Sequence, residues 1–240
     1  MMKKIGLIGG IGWSSTIEYY RYLNQFVGLK LGNDNAASLI LINLDSGEIR
    51  QLAERNEEKK IYDMLAQSIQ TLQAADAELI VLCANGVHRF HEKLQANCIV
   101  PIIHIVEATA LAVKKSQLKQ VGLLGIKKTM EGNFYQAIFE KHGIKIIVPN
   151  SAERDFLDTT IYEELMHERL LDSTKQKYIQ IIDRLKNEGA EGIILGCTEI
   201  PLLIKQKDSP ILLFPTTEIH CKAAIEIAFS FNDDPAKNLE

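Results

Sequence analysis

Short continuous apolar blocks recur along this chain. Between them run longer segments with an apolar residue every three or four positions. The blocks are Lys4 to Gly9, Ser38 to Leu44, Glu78 to Leu82, Ile99 to Ile105 around Pro101, Gln120 to Gly125, Ile144 to Val148, Gly192 to Cys197 and Pro210 to Phe214. Such runs suit strands buried on both faces of a parallel sheet. The helical periodicity predicts helices over about Thr16 to Lys30, Arg55 to Ala74, Val106 to Lys115, Met130 to His142, Thr160 to Leu170, Thr174 to Asn187 and Thr217 to Phe231. On the first of these the stripe Ile17, Tyr20, Leu23 and Val27 is the predicted core face, with Ser14 or Ser15 as its cap. On the second it is Ile61, Met64, Leu65, Ile69 and Leu72. The closing stretch from Asn232 to Pro235 is polar and reads as a frayed tail. Strands alternating with helices predict parallel sheets joined by right-handed crossovers.

The pattern repeats. Ile5-Gly6-Leu7-Ile8-Gly9 recurs as Val121-Gly122-Leu123-Leu124-Gly125, and the stretch from Asp76 to Asn85 recurs as Gly189 to Thr198. Two matches at nearly one spacing argue for two related halves. The predicted fold class is therefore α/β, with two pseudo-symmetric Rossmann-like or flavodoxin-like domains and an active site in the cleft between them. The first would take residues 1–104 plus about 215–240, and the second residues 105–214. In this superposition Cys197 aligns with Ala84 and not with Cys83. Side chains alternate along a strand, so Cys83 should point away from wherever residue 84 points.

Composition narrows the function classes. With 240 residues and a formal net charge of −4, the chain advertises no basic surface, so no nucleic-acid partner is expected. No apolar run reaches the ~20 residues of a membrane span, and the start breaks into glycines too soon for a signal peptide. Four scattered cysteines, Cys83, Cys98, Cys197 and Cys221, show no CxxC spacing, which predicts neither a metal site nor a redox dithiol. A cytoplasmic protein with free thiols is the simplest account.

The chemistry concentrates at Gly196-Cys197-Thr198-Glu199-Ile200. It reads as a strand that ends at a cysteine and turns into a helix. Thr198 sits where an N-cap would be, and Pro201 suits a first turn. Ligands of open α/β sheets bind at that edge, and a helix N-terminus there would lower the thiol pKa. A buried structural cysteine is the plainer alternative.

At this point the chain resembles the aspartate/glutamate racemase family, aspartate racemase branch. The residues that carry the resemblance are Gly9-Gly10-Ile11-Gly12-Trp13-Ser14-Ser15-Thr16, Cys83-Ala84-Asn85-Gly86-Val87-His88, Gly196-Cys197-Thr198-Glu199-Ile200 and Thr216-Thr217-Glu218-Ile219-His220. The resemblance implies an amino-acid racemase that needs no pyridoxal phosphate or other cofactor, acts on a small amino-acid carboxylate and forms a homodimer. It implies two cysteines, one from each half, on opposite faces of the substrate Cα. Cys197 matches the second. Ile11, Ser14, Ala84, Asn85, Gly86 and Thr198 would line the substrate, with Cys83, His88, Glu199 and His220 in support.

The first cysteine of that pattern is Ala84 here, the usual Asn-Thr pair is Asn85-Gly86, and Pro215 replaces a common aspartate. Three readings follow. One is a racemase in which water, Cys83 or another group replaces the first thiol. Another is a one-cysteine relative, decarboxylase-like or exchanging a proton on one side. The last is a binding protein for an acidic amino acid. A dinucleotide site is the rival from another class, since Asp45 ends the second strand where a ribose-binding acid would sit. The turn Gly10-Ile11-Gly12-Trp13-Ser14-Ser15, however, lacks the third glycine of GxGxxG. Candidate cations for an anionic substrate are Arg50, Arg55, Lys127, Lys128, His167 and Arg169, each more often a solvated surface charge.

Overall fold

Each apolar block forms a parallel strand, as burial on both faces requires. The structure, a computed structural model, describes residues 2–230. Phe231 and the tail from Asn232 to Pro235 lie outside the described residues. The chain divides into two units. Unit 1 holds residues 2–83, 90–103 and 220–230; unit 2 holds residues 84–89 and 104–219.

In unit 1, β1 (Ile5–Gly9), β2 (Leu39–Asn43), β3 (Leu79–Leu82) and β4 (Ile102–Ile103) form a sheet of order β2-β1-β3-β4. Its helices are α1 (Trp13–Leu31), α2 (Ser46–Glu54), α3 (Glu58–Ala74) and α4 (His91–Gln95). In unit 2, α5 (Ile105–Lys115) leads to β5 (Gln120–Leu124). Then come α6 (Lys127–Glu131), α7 (Asn133–Lys141), β6 (Lys145–Ile147), α8 (Ser151–Glu163), α9 (Asp172–Asn187), β7 (Gly192–Leu195), α10 (Ile200–Leu203) and β8 (Leu212–Pro215). The last helix, α11 (Thr216–Phe229), starts in unit 2 and continues into unit 1. The second sheet has order β6-β5-β7-β8, so it repeats the first strand for strand. The pairing is parallel throughout, with Ile5 beside Leu39 and Leu79, and Val121 beside Ile146 and Gly192. The internal repeat seen in the sequence is thus a repeat of the sheet.

Each unit has its own core. Ile5, Leu7, Leu79, Val81 and Ile103 meet Tyr19, Leu23 and Ala224 in unit 1. Val121, Leu123, Ile193 and Ile194 meet Tyr135, Phe139, Tyr178 and Leu185 in unit 2. The glycines at the strand ends are required by space. A Cβ on Gly10, whose φ is +81°, would sit 2.0 Å from Leu44 O, and one on Gly196 would sit 2.9 Å from Leu124 O.

Several sequence expectations are corrected. On α1 the core covers Tyr19, Leu23 and Val27, with Ser14, Ser15, Thr16 and Gly28 also buried, while Ile17 and Tyr20 are 53% and 59% exposed. The apolar stripe is wider than the face the core covers, so periodicity placed the edge of the face one residue off. The α1 N-cap is Gly12, with no side-chain cap from Ser14 or Ser15. Asp45 accepts from Gly47 N at 2.8 Å and caps α2, a helix the sequence reading missed. The predicted strand from Ile99 to Ile105 shrinks to Ile102–Ile103, because Ile99 is 91% exposed and α5 begins at Ile105. The predicted helix from Met130 to His142 is two helices that break at Gly132. The Thr160 to Leu170 helix starts earlier, at Ser151, because Asn150 and Glu153 form a capping box.

Candidate functional site

The carboxyl end of β7 carries Gly196 and Cys197. The sheet order reverses direction between β5 and β7, which is where open α/β sheets place their ligands. Gly196 N donates to Leu124 O at 2.7 Å, which fixes the strand end against β5. Cys197 follows, buried at 7% exposure. Its Sγ donates to Glu199 Oε2 at 2.9 Å, and Thr198 Oγ1 donates to the same oxygen at 2.9 Å. Glu199 is 1% exposed, so a carboxylate is held inside the protein by a thiol and a hydroxyl.

This arrangement overturns the expected activation of the thiol by a helix. α10 has four residues, its N-cap is Glu199 and not Thr198, and no side chain caps it. So short a helix has little dipole to offer. Burial pushes the Cys197 thiol well above its ordinary pKa, and the charge of Glu199 and its hydrogen bond push it further. Backbone N–H groups of Glu199 and Thr198 pull the other way and lose. In the free protein Cys197 is therefore a protonated thiol beside a proton acceptor.

Residues 84–89 belong to the same unit, and they bring Asn85 to the end of β7. Asn85 Nδ2 donates to Thr216 Oγ1 at 3.0 Å, and Thr216 Oγ1 donates to Leu195 O at 2.9 Å. Tyr135 OH, from α7, donates to Asn85 Oδ1 at 2.6 Å. Burial raises the Tyr135 phenol pKa. Sequence reasoning missed Tyr135, since nothing marks it among the apolar positions of its helix. Thr216 carried a signal through the Thr216-Thr217 marker, but no role was assigned to it. Two further hydroxyls, Thr129 Oγ1 and Thr217 Oγ1, are buried without a hydrogen-bond partner. Thr129 packs close to Gly196, 3.6 Å from where a Cβ there would stand.

Ala84 and Gly86 are half-buried on either side of Asn85. Arg89 folds back to donate to the Gly86 carbonyl. His88 is buried, its Nδ1 accepts from Ile105 N at 3.5 Å, and its ring lies 5.1 Å from that of His104. That pairing ties the Asn85 loop to the start of α5.

The remaining candidates lie in unit 1. Ile11 is half-buried, Ser14 and Ser15 are buried, and Thr16 Oγ1 accepts from Gly10 N at 2.9 Å, which shapes the opening glycine turn. Cys83 is 0% exposed in the unit 1 core, and burial raises its thiol pKa strongly. It is sealed from solvent in that core. His220 is likewise a core residue. Its Nε2 donates to Ile103 O at 2.9 Å, and its Nδ1 accepts from Tyr19 OH at 2.8 Å. A carbonyl can only accept, so the neutral tautomer with the proton on Nε2 is selected.

Burial lowers the His220 pKa from 6.5 to about 4. Between these values the unfolded chain binds a proton that the folded chain refuses. The contribution is fully present above pH 6.5 and is lost as pH falls towards 4. Its size is roughly 3 kcal/mol. Urea unfolding of the wild type should weaken over that window more steeply than that of His220→Gln. Parallel pH profiles would remove the assignment.

Of the candidate cations, Lys127 pairs with Asp155 at 2.5 Å and Arg50 with Glu54 at 3.1 Å, while Arg55, Lys128, His167 and Arg169 are exposed. Among the described residues no helix is long and apolar enough to cross a membrane.

Known proteins share this fold. The model of the Asp/Glu/Hydantoin racemase family matches residues 8–224. The chain is similar to a candidate Asp/Glu racemase from Yersinia pestis, at 40% identity and a TM-score of 0.88, over 95% of this chain and 99% of that one. It is similar to an aspartate racemase homologue from Pyrococcus horikoshii OT3, at 36% identity and a TM-score of 0.83, over 95% and 99% of the two chains. Against the glutamate racemase of Persephonella marina, identity is 27% over 135 residues, 52% of this chain and 47% of that protein. The match thus spans about half the length of that relative. The repeated sheet, the cysteine turn after β7 and these matches agree: the chain belongs to the Asp/Glu/Hydantoin racemase family.

Proposed function

We propose that this chain is a cofactor-independent racemase or epimerase of a small amino-acid carboxylate of the aspartate/glutamate type, with Cys197 as the acid/base group. The observation that carries the reading is the buried Cys197–Glu199 hydrogen bond at the end of β7. Removing a Cα proton needs a base near it, and returning one needs an acid. Glu199 takes the thiol proton; the thiolate then takes the Cα proton and becomes a thiol again. The negative charge left on the substrate spreads into its own carboxylate, which Asn85 holds with an N–H donor. A water on the opposite face supplies the new proton, since the side chain of Ala84 has none to give, and the proton held on Glu199 passes through solvent to the hydroxide left behind, which restores the starting state.

A second reading rests on that same alanine. With Ala84 at the first-half position and Cys83 sealed in the unit 1 core, Cys197 would return the proton to the face it came from. The result is exchange without inversion, as in a one-cysteine relative.

Incubation of each enantiomer of aspartate and glutamate in D₂O separates the cases. NMR reads the Cα–H signal, and chiral chromatography of the same samples reads inversion. Deuterium incorporation with inversion is the expected result. Incorporation with retention selects the one-sided reading. No incorporation, with thermal stabilisation by one of the amino acids, would leave only a binding protein.

A further inference from the structure

The hydrogen bonds around Asn85 fix the direction of its amide. Leu195 O is a carbonyl and can only accept, so the single proton of Thr216 Oγ1 is committed to it. Thr216 Oγ1 must then accept from Asn85, so the amide end facing it is the NH₂. The amide oxygen is left facing Tyr135, whose hydroxyl donates to it at 2.6 Å. Tyr135 itself is held rigidly. It is fully buried on α7, with the Phe134 ring centroid 5.1 Å away and the Phe139 ring stacked at 6.1 Å. One N–H of Asn85 remains beyond these bonds. Beyond these bonds the amide offers this N–H to a ligand, which suits a carboxylate.

We propose that Tyr135 is a positioning residue: by holding the Asn85 oxygen, it makes the amide present an N–H, and never a carbonyl, to the carboxylate of the substrate. This rests on the reading of Asn85 as a carboxylate binder. Without the hydroxyl only the bond to Thr216 holds the amide, and a turn of 180° then requires only that the Thr216 proton leave Leu195 O for the amide oxygen; that orientation sets an oxygen against an anion. Tyr135 makes no contact with the reacting atoms in this account, so its loss acts on binding more than on the chemical step.

Tyr135→Phe keeps the ring and the volume, so the fold is retained. Tyr178→Phe is the matched control. Tyr178 is also a buried tyrosine of unit 2, but its hydroxyl meets Thr160 Oγ1 at 3.1 Å and not Asn85. Tyr135→Phe is expected to raise KM for Cα exchange about tenfold with kcat changed less than about threefold, the size of one hydrogen bond. Tyr178→Phe should leave both constants unchanged. An unchanged KM in Tyr135→Phe, or an equal rise in both variants, overturns the proposal.

A second measurement does not depend on turnover. In ¹⁵N-labelled protein the side-chain NH₂ signals of Asn85, identified by their disappearance in Asn85→Ala, report how firmly the amide is held. In Tyr135→Phe their exchange with water should quicken by about tenfold. Exchange as slow as in the wild type overturns the proposal, whatever the catalytic result. If the wild type neither exchanges nor binds any amino acid, the functional reading falls, and the NMR comparison alone decides the role of Tyr135.

Discussion

Cys197→Ala is expected to lower Cα–H exchange by about 10²- to 10⁴-fold, the range a positioned acid/base group supplies. The reason lies in what remains near the sulfur. Cys83 is sealed in the unit 1 core, Ala84 has no ionisable group, and the thiol of Cys197 is the one that meets a carboxylate. The substitution also takes from Glu199 one of its donors, while the Thr198 hydroxyl still meets it at 2.9 Å. Part of any loss of activity could then reflect a rearranged turn. Cys197→Ser separates the two effects. A serine hydroxyl can donate to Glu199 as the thiol does, so the turn is preserved. Its much higher pKa makes it a poor proton exchanger at neutral pH, so activity should be lost as fully as with alanine. Exchange retained within about tenfold of wild type in the serine variant would remove Cys197 from the mechanism.

Glu199→Gln is the second large effect, and it should move two observables in opposite directions. The carboxylate is the acceptor for the thiol proton, so its loss should lower kcat by about 10²-fold or more. Yet Glu199 is also one of the causes that hold the Cys197 thiol above its ordinary pKa, through its charge and its hydrogen bond. Neutralising it should bring the thiol pKa down, although burial still keeps it raised. The pH profile of alkylation by iodoacetamide should therefore shift to lower pH, and alkylation at a fixed neutral pH should quicken. A merely structural role predicts something else, with turnover and alkylation following the stability of the fold together. If alkylation slows in Glu199→Gln while turnover falls, Glu199 is not the partner that sets the state of Cys197.

The fold was largely legible because its signals are local and repeated. Runs such as Gly192 to Leu195 are apolar on every position, which only a strand covered on both faces tolerates. Their repetition predicted two like sheets, and both have the order second, first, third, fourth strand. The errors fell where local signals compete. Helix α2 was missed because Asp45 reads equally well as a ligand-binding acid and as a cap. The exposed side of α1, with Ile17 and Tyr20, was misplaced because both are as apolar as the residues the core covers.

The candidate site was legible in part. The cysteine turn announced itself through the glycine-bounded strand before it and the helix signals after it. The alternation of side chains separated Cys83 from residue 84 in the sequence, and the structure seals Cys83 in the unit 1 core. The electrostatics were not legible. Glu199 lies two residues from Cys197, a spacing that has no fixed meaning in an irregular turn. Only the fold decided that its carboxylate turns inward, is sealed from water and meets the thiol. Tyr135 is 50 residues from Asn85, and no pattern of polarity along α7 marks the hydroxyl that reaches it. By itself the sequence determined the strands, their repetition and which cysteine ends a buried strand, because hydrophobic burial and side-chain alternation act between near neighbours. The tertiary structure alone decided the protonation state of that cysteine and the orientation of Asn85, because burial and hydrogen bonding depend on groups that only folding brings together.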